Sequence, residues 1–192
     1  WDLSGQYVPE FKPVADVQNV SLWDAYPDPE ARNMEEAEYF IQRHRMSKSQ
    51  LRSLKKRPFF RPESIDIAIS QGASYVEEYW ENTLRDDKNE AANERFEILE
   101  FWGIVDSDIA DLTGIEIPKE FKDLDEVQIN AWVCNNQIIR LVYNPFTPAR
   151  IPYYMCPYEL NPYSIFGIGV AENMSDTQLL MNGFARLMID NG

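Results

Sequence analysis

The sequence predicts an α+β fold: a small antiparallel sheet flanked by helices and followed by a long apolar C-terminal helix. Three observations carry that prediction. The runs RFEILEFWGIV, EVQINAWVC and QIIRLVY have the aromatic and β-branched composition of strands. Ahead of them, Ser47 with Gln50 and Pro62 with Gly72 mark helix starts and stops. From Glu172 to Asp190, apolar residues at helical spacing cover most of a circumference.

Taken in order, the chain up to about Ala25 reads as irregular or extended, because Pro9 and Pro13 interrupt any helix. YPDPEARNMEEA reads as a turn: Pro27 and Pro29 fix φ, and the Asp28 carboxylate can bond the backbone beyond it. Asn33 and Glu36 then offer a capping-box start for a short helical turn over Met34 to Ala37. EYFIQRHRM is expected to be a strand, with Phe40, Gln42 and His44 on one face. SKSQLRSLKK opens on the capping box Ser47 and Gln50 and stops at Pro58. It places Lys48, Arg52, Lys55 and Lys56 on one side and Leu51 and Leu54 on another. PESIDIAISQG is expected to be a helix from Pro62 to Gly72, SYVEEYWENTL a second helix, and residues 86–94 a charged loop. Asn135-Asn136 between EVQINAWVC and QIIRLVY predicts a tight hairpin, since Asn tolerates positive φ. RIPYYMCPY is expected to be a further short strand, held to an edge by its prolines.

At 192 residues and 44% hydrophobic, the chain can build one large domain or two small ones. No run of about 18 apolar residues is present to span a bilayer, and WDLSGQYVPEFKPV lacks the basic start and apolar centre of a signal peptide, so a soluble protein is expected. Cys134 and Cys156 are too few for a disulfide framework or a zinc site, and a structural pair of buried thiols in a reducing compartment is the expectation. The chain opens on Trp1 and stops at Asn191-Gly192 directly after an apolar run, which reads as an excised piece of a longer protein.

The net charge of −14 repels nucleic acid at long range and argues against a sequence-reading DNA binder. The charge is unevenly spread. Tyr39 to Pro62 contains no Asp or Glu, yet holds eight of the 18 basic residues: Arg43, Arg45, Lys48, Arg52, Lys55, Lys56, Arg57 and Arg61. The remainder sets ten basic residues against all 32 acidic ones, a net of −22. A basic face of Lys48, Arg52 and Lys55 is either a solvated helix surface or a docking surface. Its natural partner in the second case is the acidic body of another copy, met head to tail.

Gly167-x-Gly169 stands before a predicted helix, where a phosphate is often cradled, but Glu172 puts a carboxylate where a third small residue is needed. No Gly-Lys dipeptide occurs, so a phosphate-binding loop of the ATPase kind is absent. His44 is the sole histidine, and between two arginines on a surface strand it reads as an ordinary polar residue. DSDIADLTGIEI fails as a calcium loop because Ala110, Asp111 and Ile117 stand where a ligand, Gly and Glu are required. No catalytic residue, cofactor site or metal site is therefore expected, and the two glycines read as a flexible approach to the last helix.

Within that helix, Ser175, Gln178, Asn182 and Arg186 form one narrow polar stripe. Met174, Leu179, Leu180, Met181, Phe184, Leu187, Met188 and Ile189 cover most of the rest. A helix apolar nearly all round has to be enclosed, either in a core or by copies of itself with the stripe facing a lumen. Gly183 costs roughly 1 kcal/mol against Ala, which fits close packing there.

DAYPDPEARNMEEAEYFIQRHRMSKSQLRSL resembles a stretch of the portal proteins of tailed bacteriophages: an Asp-Pro-x-Ala turn, an acidic-Ala helical turn, a Tyr-containing strand and a Met-Ser helix start. RIPYYMCPYELNPYSIFGIGVAENMSDTQLLMNGFARLMIDNG is similar to a later stretch of the same family, with an Arg-Ile-Pro strand, a Pro-Tyr loop, the Gly-x-Gly, and Gln178, Asn182 and Arg186 in a helix. The resemblance implies a wing region over residues 1–170, built around an SH3-like sheet, and a truncated first stem helix over residues 171–192. It also implies a ring, usually of twelve subunits, at one capsid vertex, with an often acidic channel that lets double-stranded DNA slide. Other portal subunits, the terminase large subunit, capsid and tail adaptor proteins are the implied partners, DNA passes without sequence preference, and no membrane is involved. The implied locations are the virion and, during assembly, the host cytoplasm. The family's clip, returning stem helix, tunnel loop and crown have no counterpart in this chain.

Under that reading Gln178, Asn182 and Arg186 line the lumen or a subunit interface, while Lys48, Arg52 and Lys55 face an acidic neighbour. One alternative is an acidic adapter that binds a protein partner through the basic segment 43–61, which predicts a last helix covered within the chain. An enzyme requires a pocket around Glu172 and His44.

Overall fold

The computed structural model describes residues 16–76, 94–112, 115, 124–146 and 148–191. The helix expected over residues 74–84 and the loop over 86–94 fall largely outside them. Five strands form one antiparallel sheet in sequence order: β1 (Ala25–Pro27), β2 (Tyr39–Ser47), β3 (Arg95–Asp106), β4 (Glu126–Cys134) and β5 (Gln137–Tyr143). One short 3-10 helix (Leu22–Asp24) and four α-helices are described: α1 (Lys48–Leu54), α2 (Pro62–Ser70), α3 (Ser107–Leu112) and α4 (Val170–Asp190). The protein is α+β, as its sequence predicts.

Register explains which side chains meet. Phe40 lies opposite Trp102, which lies opposite Asn130; Gln42, Glu100, Trp132 and Arg140 form the next row; His44 and Ile98 lead to Cys134. Because successive residues alternate, all of these share one face. Leu51 and Leu54 of α1 and Ile65 and Ala68 of α2 pack on that face with Phe96, Ile98, Trp132, Cys134 and Ile139. The opposite face carries a smaller cluster of Ile115, Val127, Ile129 and Ala131 against Phe101, Val105, Leu141 and Tyr143. The first face is thus covered and the second only in part, Leu99 staying exposed on it.

Local chemistry sets the element ends. The Ser47 hydroxyl accepts the Gln50 N–H at 3.3 Å, and the Gln50 side-chain oxygen accepts the Ser47 N–H at 2.8 Å, completing the expected capping box. Asn135 and Asn136 adopt φ of 48° and 59°, the left-handed pair that a two-residue hairpin requires. The Asn135 amide also donates to the carbonyls of Ala68 and Gly72 at 2.9 and 2.8 Å, tying the end of α2 to the hairpin. Gly72, at φ 92°, supplies the left-handed residue just past that helix. Residues 34–36 make the short turn expected there. Asn33 accepts the N–H groups of Glu35 and Glu36 at 2.9 and 3.0 Å, while Glu36 reaches back to the Arg32 N–H at 3.3 Å.

RIPYYMCPY is not a strand. Residues 151–157 have no regular structure, and only an isolated bridge, Glu159 to Ile168, follows them. Pro152 and Pro157 lack the N–H groups a ladder needs, and the segment packs through side chains instead. Tyr153 stacks on Phe40 at 4.0 Å, and Ile151, Met155 and Ile165 close over Ala31 and Ala37. The rejected calcium loop begins with the helix α3.

Candidate functional site

The C-terminal helix α4 runs for 21 residues and has no buried residue. Leu179, Met188 and Ile189 are 74 to 77% exposed, and Met174, Leu180, Met181, Phe184 and Leu187 are exposed as well. Its entry is anchored by the Asn173 amide on the Glu159 carboxylate and by packing of the preceding turn. Among the described residues nothing lies within 4 Å of where a Cβ on Gly183 would stand, so the cost of that glycine finds no compensation from them. Contiguous apolar surface of this kind is uncommon on monomers. No helix among the described residues is long and apolar enough to cross a membrane.

Gln178, Asn182 and Arg186 are exposed on this helix, and the Gln178 amide donates to Asn182 Oδ1 at 3.2 Å. The i, i+4 spacing makes that contact. The covered helix that the adapter alternative predicts is not found.

The basic segment divides into spent and available charges. The Arg43 Nε donates to Asp24 at 2.9 Å and is buried, while Arg45 reaches the same carboxylate at 3.5 Å and lies over the Tyr75 ring at 5.5 Å. Lys55 pairs with Asp66. Lys48 and Arg52 are exposed on α1, as are Lys56 and Arg57 beyond it, and among the described residues none of these four is in an ion pair. Of the predicted face, Lys48 and Arg52 are thus available to a partner, and Lys55 is partly neutralised.

Sequence reasoning underrated His44. Its Nε2 lies 2.7 Å from Glu100 Oε2, and its ring stacks on Trp132 at 5.0 Å. Glu100 Oε1 accepts the Trp102 indole N–H at 2.8 Å and the Asn130 amide at 3.1 Å. Burial pushes the Glu100 carboxyl up, but the His44 hydrogen bond and charge, with Trp102 and Asn130, more than offset it and hold it below the usual carboxylate value. Nearby, the Tyr153 hydroxyl donates to Gln42 at 2.7 Å; burial and then the Glu100 charge push its pKa up. The carboxylate is enclosed by donors, so this network holds strands together instead of offering a base to a substrate. Its signal was legible: Glu100 occupies an inward position in the alternation Phe96, Ile98, Glu100, Trp102.

Two cavities lie elsewhere. One, of about 570 Å³, runs between the turn at Arg32 to Ala37 and the segment from Ala149 to Gly167. The other, of about 490 Å³, is lined by Asp28, Glu30, Glu36, Glu38 and Tyr39. Neither of these two includes Glu172 or His44. No group of three or more His, Cys, Asp or Glu side chains among the described residues could hold a metal ion.

Gly167 is not a flexible approach. A Cβ there would stand 2.3 Å from Pro157 Cβ and 2.5 Å from the Glu159 carbonyl, so close chain passage demands the glycine. Gly169 caps α4 at φ −87° with open space around it.

The family described as Phage SU10 portal protein matches this chain over residues 12–192. No curated protein matches it.

Proposed function

We propose that this chain, which belongs to the Phage SU10 portal protein family, acts as a ring-forming subunit whose C-terminal helix meets its counterparts in neighbouring copies. Membership makes it a bacteriophage portal protein chain and a virion component, from a structural family that assembles as rings of portal subunits. The finer reading is ours. Residues 1–170 serve as an SH3-like wing and residues 171–192 as the first stem helix. The ring, a dodecamer in the full-length protein, sits at the capsid vertex, where it conducts double-stranded DNA during packaging and ejection and joins head to tail. Its other partners are the terminase large subunit, capsid and tail adaptor proteins, and it assembles in the host cytoplasm.

The observation that carries this reading is α4 itself: a 21-residue helix without one buried residue and with large apolar side chains around a polar stripe. Covering each such side chain stabilises an assembly by about 1.5–3 kcal/mol, which gives neighbouring copies reason to enclose it. Gln178, Asn182 and Arg186 then line the lumen or a subunit interface. Lys48 and Arg52, with Lys55, face an acidic neighbour.

The test replaces Gln178, Asn182 and Arg186 together by Ala in the full-length protein. Fewer closed rings in electron micrographs, or closed rings with impaired DNA packaging, is the expected result. Normal rings and normal phage titre sink the assignment.

A further inference from the structure

The strand order and register place the two signs of charge at different ends of the sheet. β2 begins at Tyr39 beside Gly103 near the end of β3, and it ends at Ser47 beside Arg95, where β3 starts. The turn of residues 28–38 therefore sits at the end where β3 finishes and β4 begins, fixed there by the Ile104 N–H on the Glu38 carbonyl at 3.0 Å. That end exposes Glu30, Glu35, Glu36 and Glu38 with Asp106, Asp108, Asp125 and Glu126. None of these carboxylates is in an ion pair among the described residues. At the other end α1 leaves β2 directly and presents Lys48 and Arg52, then Lys56 and Arg57. β3, 12 residues long and roughly 36 Å, separates the start of α1 from the acidic end, while the chain after α1 returns to mid-sheet, where Phe60 bridges Arg140 in the row of Glu100 and Trp132.

Phe59 follows Lys56 and Arg57 closely in the chain. It is 71% exposed and holds φ of 67°, a left-handed conformation that is a real outlier for a bulky side chain. The following residues hold it there: Phe60 bridges Arg140 on β5, and the Arg61 N–H donates to the Ile139 carbonyl at 2.8 Å. Backbone strain that presents an aromatic ring to solvent, close in the chain to unpaired cations, is what a binding anchor needs.

We propose that the surface of Lys48, Arg52, Lys56, Arg57 and Phe59 receives the acidic end of a second copy of this chain, with Phe59 as the apolar anchor of the contact. The two surfaces are distant on one molecule and opposite in sign, so the contact is heterologous, and each copy leaves one surface of each kind for the next. This rests on the ring reading above and names the surfaces that a ring would join. Double-stranded DNA is the competing occupant of a basic surface. It is disfavoured here because the chain as a whole carries −14.

The test is sedimentation velocity of this chain, at low and high salt, with two reversal variants: Lys48→Glu with Arg52→Glu and Lys56→Glu, and Glu35→Lys with Glu36→Lys and Glu38→Lys. Wild type is expected to self-associate at low salt and to weaken as salt rises. Each reversal alone should weaken association at least about tenfold, and an equimolar mixture of the two should restore it, because each then supplies the surface the other lacks. Phe59→Gly, which accepts the same φ without strain, should keep the thermal midpoint and still weaken association. Wild-type chain that is monomeric at low salt, reversals without effect, or a mixture that does not rescue overturns the proposal, as does binding of duplex DNA lost with the basic reversal alone. Association through α4 resists salt and is indifferent to these charges. Rings that form normally with the reversals in full-length protein therefore remove this inference and leave the portal reading standing.

Discussion

His44 and Glu100 face each other across β2 and β3, with Nε2 and Oε2 2.7 Å apart on the sheet face that α1 and α2 cover. The carboxylate is held below its ordinary value of 4.5, so the sign of its contribution is fixed. Its stabilisation is fully present above that ordinary value and is lost as pH falls through the lower folded value. Acid unfolding followed by circular dichroism should therefore show a limb that begins below about pH 4.5. Glu100→Gln should remove part of that limb and cost about 1–3 kcal/mol at neutral pH, because the donors on Trp102, Asn130 and His44 lose a charged acceptor. An unchanged acid limb in the variant would show that the pair does not stabilise the sheet.

Asn135 performs two tasks that separate by substitution. It accepts φ of 48°, and its amide bonds the Ala68 and Gly72 carbonyls at the end of α2. Asn135→Gly keeps the backbone conformation and should cost about 1–2 kcal/mol in urea unfolding, the loss of part-buried hydrogen bonds. Asn135→Ala loses the bonds and adds strain at a left-handed position, so it should cost about 1 kcal/mol more. Equal stabilities of the two variants would remove the backbone part of the argument.

These two sites show what was legible. The Asn-Asn pair announced its hairpin because positive φ at consecutive residues leaves few choices of side chain, and the Ser47 and Gln50 box announced α1 because its bonds are local. The His44 network was missed because its partner is 56 residues away in sequence, and only the register of β2 on β3 brings the two together. The expected strand at residues 151–157 failed for a related reason: its aromatic composition serves packing on Phe40 rather than a ladder. The basic segment was visible as composition, but which of its charges are spent depended on Asp24 and Asp66, which lie outside it. The periodicity of α4 required that it be enclosed but left a core and neighbouring copies both open, and the structure decides between them by leaving the helix without a buried residue.

The two thiols should differ sharply in reactivity. Burial, helped by the charge of Glu97, pushes the Cys134 thiol up to about 11, and the side chain sits in the core beneath α1 and α2. At pH 8 only about one molecule in a thousand carries that thiolate. Cys156 is exposed. Labelling with a thiol-reactive disulfide under native conditions should modify Cys156 first and Cys134 only as the protein unfolds, so the second phase should follow the unfolding rate. Two equally fast phases in native buffer would show the α1 and α2 layer to be open.

The Gly-x-Gly pair supplies the last prediction, because its two glycines are present for different reasons. A Cβ on Gly167 would meet Pro157 Cβ at 2.3 Å and the Glu159 carbonyl at 2.5 Å, and neither is the free end of a flexible side chain. Gly167→Ala should therefore force the segment off its neighbour and cost about 1–3 kcal/mol. It should also loosen the entry into α4, because the Ile168 N–H bonds the Glu159 carbonyl at 2.9 Å. Gly169 has nothing within 4 Å and a φ of −87° that any residue adopts, so Gly169→Ala should change thermal stability by no more than about 0.5 kcal/mol. A phosphate cradle predicts the reverse emphasis, with both positions needed for backbone approach to a ligand and neither for packing. Differential scanning of the two variants without any nucleotide separates the readings: a stable Gly167→Ala protein would overturn the packing explanation.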